Sequence, residues 1–116
     1  MSEAQEQKLL IEWCELQKCK YPELRLIFHI PNEGKRSFKT GIELKRQGLK
    51  SGVPDLFLPV ARNGFHGLWI EMKFGKNRLS KTQKDWYWAL LEEGYEVTVC
   101  YSADEGIEVI KKYLSI

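Results

Sequence analysis

The sequence predicts an α/β fold, in the order α-β-loop-β-β-α-β-α, filling one domain over residues 1–116. Three observations predict it. Apolar residues recur at helical spacing near both ends and again after Ser80. Tyr95 to Tyr101 alternates apolar and polar residues as a half-buried strand does. Asn63-Gly64, set between two hydrophobic runs, is the pair that a tight hairpin turn requires.

Each element has its own signal. Residues 3–19 read as an amphipathic helix in which Leu10, Trp13 and Gln17, with Leu9 and Leu16 beside them, follow helical spacing. Tyr21-Pro22 ends it, because the residue before proline is pushed out of the helical region. Leu24 to Ile30 is a strand candidate stopped by Pro31. Residues 31–52 are basic and punctuated by glycines, with a short helix near Ile42 to Gln47 closed by Gly48. Asp55 to Val60 is a second strand, and Gly67 to Phe74 a third, antiparallel to it. Ser80 opens a helix that runs to about Glu93 and stops at Gly94. After the strand at 95–101, Ser102 caps a last helix. There Glu105 is placed to complete a capping box, and Ile107, Ile110 and Leu114 share a face.

Composition excludes several classes. Hydrophobic residues make up 43% and charged residues 29% of the chain, which suits a folded soluble domain rather than a disordered one. No apolar run approaches a membrane span, and the first residues lack a basic-then-apolar signal, so a cytoplasmic location is expected. Cys14, Cys19 and Cys100 are odd in number and form no CxxC pair, which argues against a disulfide framework or a structural zinc site. Cys14 and Cys100 read as small buried hydrophobes.

The net charge of +2 is mild, but its distribution is not. Lys35, Arg36, Lys39, Lys45, Arg46 and Lys50 are opposed only by Glu43. Lys73, Lys76, Arg78, Lys81 and Lys84 are opposed only by Asp85. These clusters hold 11 of the 18 basic residues, while the stretch from Glu92 to Glu108 is acidic. A phosphate-facing side and a solvated acidic side follow, and the ordinary alternative is that the cations only solubilise loops.

The third strand carries the chemistry. With period two, Leu68, Ile70, Met72 and Phe74 share one face, and Trp69, Glu71 and Lys73 the other. If the second and third strands pair as a hairpin, Asp55 comes to lie beside Glu71. Two adjacent carboxylates repel unless a cation sits between them. A hard divalent ion, Mg²⁺ or Mn²⁺, takes such oxygens together with water and substrate phosphate. A nearby lysine then orients the water or offsets charge on the phosphate. The bland alternative is a lysine–carboxylate ion pair on a solvated sheet face.

Gly52-Val53-Pro54-Asp55-Leu56-Phe57-Leu58, Trp69-Ile70-Glu71-Met72-Lys73, Leu79-Ser80-Lys81-Thr82-Gln83 and Gly94-Tyr95 occur in that order. Together they resemble the PD-(D/E)xK nuclease pattern. Within it they are similar to the VRR-NUC group, in the small stand-alone form found in phages and bacteria. Ile30-Pro31-Asn32-Glu33-Gly34-Lys35-Arg36 and Leu49-Lys50-Ser51-Gly52 are similar to that group as well.

The resemblance implies a restriction-endonuclease-like αβββαβ core with a mixed central sheet flanked by helices. It implies a metal-dependent endodeoxyribonuclease in which Asp55, Glu71 and the carbonyl of Met72 hold Mg²⁺ or Mn²⁺ and Lys73 positions the water. It also implies a carboxylate on the first helix. Glu3 fits a Glu-x-x-x-Gln pattern with Gln7 and is favoured, while Glu6, on the face of Leu10 and Trp13, stays open. Gln83 can cap its helix from Ser80, face the metal site, or both. Asn32, Lys35 and Arg36 are expected at the substrate cleft. Lys45, Arg46, Lys50, Lys76 and Arg78 are expected on the DNA backbone. His29 reads as a core or edge residue rather than a ligand. Of Trp86, Tyr87 and Trp88, most read as core, with one directed outwards.

The expected partner is branched or junction DNA, cut by a homodimer that resolves four-way junctions. The 86–93 helix or the 39–49 segment is the candidate interface. The rival readings are a non-enzymatic nucleic-acid-binding module on the same fold, a nonspecific or flap-type nuclease, and a subunit of a sequence-specific restriction enzyme.

Overall fold

The computed structural model describes residues 1–31 and 38–116. The chain begins with helix α1 (Glu3–Gln17), capped by Ser2, whose hydroxyl accepts from the Gln5 N–H at 3.2 Å. Leu10 and Cys14, one turn apart, are its buried residues. Leu9 and Leu16 face outwards instead, at 45% and 80% exposure.

The next segment departs from expectation. Pro22–Leu26 is a 3₁₀ turn, and only Phe28–His29 is strand, β1. Proline at the first position is pre-set for a helical turn. That turn buries Leu24, so the alternation of Leu24, Leu26 and Phe28 is not that of a strand. Helix α2 (Phe38–Arg46) starts earlier than its periodic stretch. It closes where expected, with Gly48 at φ 109 and the Leu49 N–H returning to the Leu44 carbonyl at 2.9 Å.

Strands β2 (Leu56–Leu58) and β3 (Leu68–Met72) are antiparallel, in the register Leu56 with Ile70 and Leu58 with Leu68. Asn63 and Gly64 both have positive φ, 55 and 82, and Arg62 and Phe65 bond across them, as a type I′ turn demands. Helix α3 (Lys81–Glu92) then carries the chain over to β4 (Glu96–Cys100), which lies parallel to β3. Gly94, at φ 88, makes the turn between them, and a β-carbon there would stand 2.8 Å from the His66 ring. The mixed sheet has the order β1-β2-β3-β4.

Helix α4 (Ala103–Leu114) is capped by Ser102, which accepts from the Glu105 N–H at 3.1 Å. The Glu105 carboxylate returns to the Tyr101 N–H at 2.7 Å, one residue before the position that a reciprocal box would use. Leu56, Leu58, Leu68, Ile70 and Met72 form a core with Leu10, Cys14, Ile110 and Leu114. Gly106 permits the close approach of α1 and α4, since a β-carbon there would lie 2.6 Å from a Leu10 methyl. The opposite sheet face carries stacked Phe57 and Trp69, their rings 4.2 Å apart, with Tyr95 edge-on. Phe74, expected on the Leu68 face, lies beyond β3 and is 39% exposed. Among the described residues no helix is long and apolar enough to cross a membrane.

Candidate active site

Pairing of Leu56 with Ile70 makes Asp55 and Glu71 the next opposed positions along the hairpin. Here the backbone ladder of β2 has ended, and the Asp55 carboxylate takes its place. Its Oδ2 accepts the Met72 N–H at 2.8 Å. In a strand the N–H and C=O of one residue point the same way. The Met72 carbonyl therefore faces the Asp55 side as well.

Glu71 is 5% exposed. Its Oε2 accepts a hydrogen bond from Gln83 Nε2 at 3.3 Å. Burial first, then the charge of Asp55 and a hydrogen bond between the two carboxyl groups, push Glu71 up to about 9. Lys73 acts in the opposite direction, and Glu3 adds to the rise. Lys73 follows Glu71 by two residues, lies just past β3 and is nearly buried. Its backbone N–H is tied to the Cys100 carbonyl at 2.9 Å.

Gln83 caps its helix and also reaches Glu71. Its Oε1 accepts the Ser80 N–H at 2.8 Å, and its own N–H reaches the Ser80 hydroxyl at 3.2 Å. The cap fixes the amide so that the nitrogen is left for Glu71. The helix is itself held in place by Gly52. A β-carbon on Gly52 would meet the Thr82 carbonyl group at 2.7 Å, at a φ of +91 that side chains rarely adopt. Gly52→Ala is therefore expected to destabilise the fold by about 2–4 kcal/mol through strain and overpacking together. Urea unfolding of the purified variant measures this.

The two helix carboxylates separate cleanly. Glu6 Oε1 accepts the Ala103 N–H at 2.8 Å and so ties α1 to the first turn of α4. Glu3 instead lines a cavity of about 420 Å³ with Ala4, Gln7, His29, Asp55, Glu71, Met72, Lys73 and Gln83. Glu6→Ala should cost about 1–2 kcal/mol, the price of an orphaned helix N–H, and leave the cavity's chemistry intact. Glu3→Ala should do the reverse. Melting curves beside reaction rates for the two variants distinguish them.

Three residues of this cavity had no clear signal in the sequence. His29 is exposed at its rim, on the edge strand, rather than in the core. Its Nδ1 lies 3.1 Å from Gln7 Nε2 and 3.3 Å from the Asp55 carbonyl oxygen. The pattern Glu-x-x-x-Gln was the only hint for Gln7, and Ala4 had none. The basic residues take other places. Lys76 and Arg78 are exposed on the turn before α3, and Arg46 lies 3.9 Å from Glu43 at the end of α2. Lys45 and Lys50 line a separate depression, and none of these five borders the Asp55–Glu71 cavity. Asn32, Lys35 and Arg36 lie outside the described residues. Cys14 and Cys100 are buried, and burial pushes both thiols up to about 12.

Among the described residues no three His, Cys, Asp or Glu side chains gather into a metal cage. The donor set still suits a small hard cation. Asp55, Glu71 and Met72 line one cavity, and Mg²⁺ usually keeps several waters beside one or two carboxylates. Burial and the Asp55 charge raise the proton affinity of Glu71, and such a cation would offset the same excess of negative charge.

Comparison with known proteins agrees with the fold. The VRR-NUC domain family matches residues 1–104. A solved structure described as a VRR_NUC domain protein is 33% identical and superposes with a TM-score of 0.84, covering 99% of this chain and 89% of that one. No curated protein matches.

Proposed function

The chain belongs to the VRR-NUC family of nuclease-type domains, and from that premise we propose that it hydrolyses DNA phosphodiesters with a divalent metal ion. The observation that carries this reading is the juxtaposition of Asp55 and Glu71 at the floor of one cavity, with Lys73 beside them. Asp55, Glu71 and the Met72 carbonyl are the residues to hold Mg²⁺ or Mn²⁺. When bound, such an ion acidifies water and offsets negative charge on the phosphate.

The chain's own groups supply the rest. Lys73 presents its ammonium where water and phosphate meet, orients the nucleophile and offsets charge on the phosphate. Glu3 accepts a hydrogen bond from that water across the cavity. Gln83 holds the Glu71 carboxylate in one rotamer through its Nε2, so that the donor set is preorganised. A binding module would gain nothing from a buried carboxylate destabilised by a second one beside it, which disfavours the non-enzymatic alternative.

Each chain offers one such cavity. Paired incision of a four-way junction needs two of them at a fixed separation, which a C2 homodimer provides. We therefore favour a junction-resolving dimer acting in the cytoplasm. Purified protein with Mg²⁺ or Mn²⁺ on duplex, flap, single-stranded and four-way DNA tests the activity, and sedimentation tests the dimer. Preferential, paired cutting of the four-way substrate supports the proposal. Equal nicking of all four by a monomer would leave a nonspecific nuclease.

The exposed basic residues outside the cavity are assigned to the phosphate backbone. Neutralising Lys76 and Arg78 together should lower the slope of log affinity against log salt by up to about 2, as fewer counterions are released. An unchanged slope would remove these two from the interface.

A further inference from the structure

A second depression, of about 380 Å³, is lined by Lys45, Leu49, Lys50, Ser51 and Trp86. We propose that it is a stacking subsite for one unpaired nucleotide, with the base on the Trp86 indole and the phosphate at Lys50. The inference rests on the nuclease reading and deepens it, because it names the DNA class the enzyme selects.

The depression is built from the end of α2, the 49–52 turn and α3. Gly52 locks that turn onto α3, since its α-carbon sits against the Thr82 carbonyl and the Gln83 N–H with no room for a side chain. Lys50 and Ser51 are carried into place by that contact. Trp86 follows Gln83 by three residues, which puts both on neighbouring positions of one helix side. The axial step between them is about 4.5 Å. Gln83 in turn reaches Glu71 at 3.3 Å. Trp86 thus lies one helical turn beyond the residue that touches Glu71, which puts the indole within reach of a strand whose phosphate enters the catalytic cavity.

The lining is chemically selective. It holds two ammonium groups, a serine hydroxyl, a leucine and a half-buried indole, and no carboxylate. Cations flanking an aromatic plane suit a base and its phosphate, without regard to sequence. Bases inside a duplex hide both faces against their neighbours. Only a base at a branch point, gap or splayed end offers a face to Trp86. Selection for branched DNA then arises within one chain, before any second chain joins.

Metal-free binding by fluorescence anisotropy tests this without cleavage. The probes are a labelled paired duplex and the same duplex with a three-thymidine single-stranded flank. The protein should bind the flanked probe more tightly. Trp86→Ala should weaken the flanked probe about tenfold and bring the ratio of the two affinities towards one, as expected for one stacked base. Trp86→Phe should keep most of the preference, and Trp88→Ala, on the 63%-exposed outer side of α3, should leave it unchanged. Lys50→Gln should weaken the flanked probe and flatten its salt dependence.

An affinity ratio unaltered in folded Trp86→Ala would overturn the proposal. So would a wild-type protein with no preference for the flank. Should Trp86→Ala fail to fold, Lys50→Gln with an unaltered flanked-probe affinity is equally decisive. Binding preference with no cleavage under Mg²⁺ or Mn²⁺ would defeat the hydrolytic reading while supporting the subsite. Cleavage without the preference would do the opposite.

Discussion

Glu71→Gln is expected to abolish cleavage and, in the absence of metal, to make the fold more stable at alkaline pH. The buried Glu71 carboxyl is pushed up to about 9 by burial and by Asp55, against an ordinary value of 4.5. Below the ordinary value both folded and unfolded chains hold the proton. Between the two values the folded chain keeps it and the unfolded chain does not. Raising the pH through this window therefore favours unfolding, by up to about 1.4 kcal/mol per pH unit. Above 9 the loss is complete.

Glutamine has the shape of the protonated acid and can still donate to Asp55, but it has no proton to lose. Its melting temperature should stay flat between pH 5 and 8 where the wild-type value falls. Mg²⁺ should restore the wild-type protein at pH 8 and leave Glu71→Gln unmoved. Cleavage should drop about a thousandfold or more, since several kcal/mol of charge stabilisation at the phosphate leave with the donor. Parallel pH profiles of melting for both proteins would sink the proton-sharing account, and an active Glu71→Gln would sink the metal-site account.

The second large effect is at Lys73. Lys73→Met keeps the aliphatic stem of a nearly buried side chain and removes only the ammonium. Hydrolysis should fall about 10²- to 10⁴-fold, the range that a positioned acid–base group contributes. Stability above the ordinary carboxylate range should fall, because the cation that offsets the Glu71 and Asp55 charges is gone. Lys73 lowers the proton affinity of Glu71, so its loss should extend the fall in stability to higher pH. Single-turnover rates at saturating enzyme, with melting curves across pH, measure both effects. A rate within threefold of wild type would show that Lys73 is not part of the chemistry.

Much of this was legible from local rules. Period two put Glu71 and Lys73 on one strand face, and Asn63-Gly64 announced the hairpin that sets Asp55 across from Glu71. Ser80 and Gln83 announced the helix start. These features depend on neighbours within a few residues, and their physics is steric and local.

Other features needed the packed molecule. Leu24 to Leu26 alternates like a strand but coils, because Pro22 pre-sets a turn and Leu24 is buried in it. Spacing to Gln7 favours Glu3 over Glu6 but leaves Glu6 open. Only the docking of α4 against α1 gives Glu6 the Ala103 N–H and leaves Glu3 for the cavity. Gln7 and His29 stand 22 residues apart, and only the approach of α1 to the edge of the sheet brings them together. The sequence by itself determined which elements form and which acidic and basic residues share a strand. The tertiary structure decided which of them meet, because contacts between distant segments follow from helix docking and strand register, and these minimise the free energy of the whole core rather than of any one stretch.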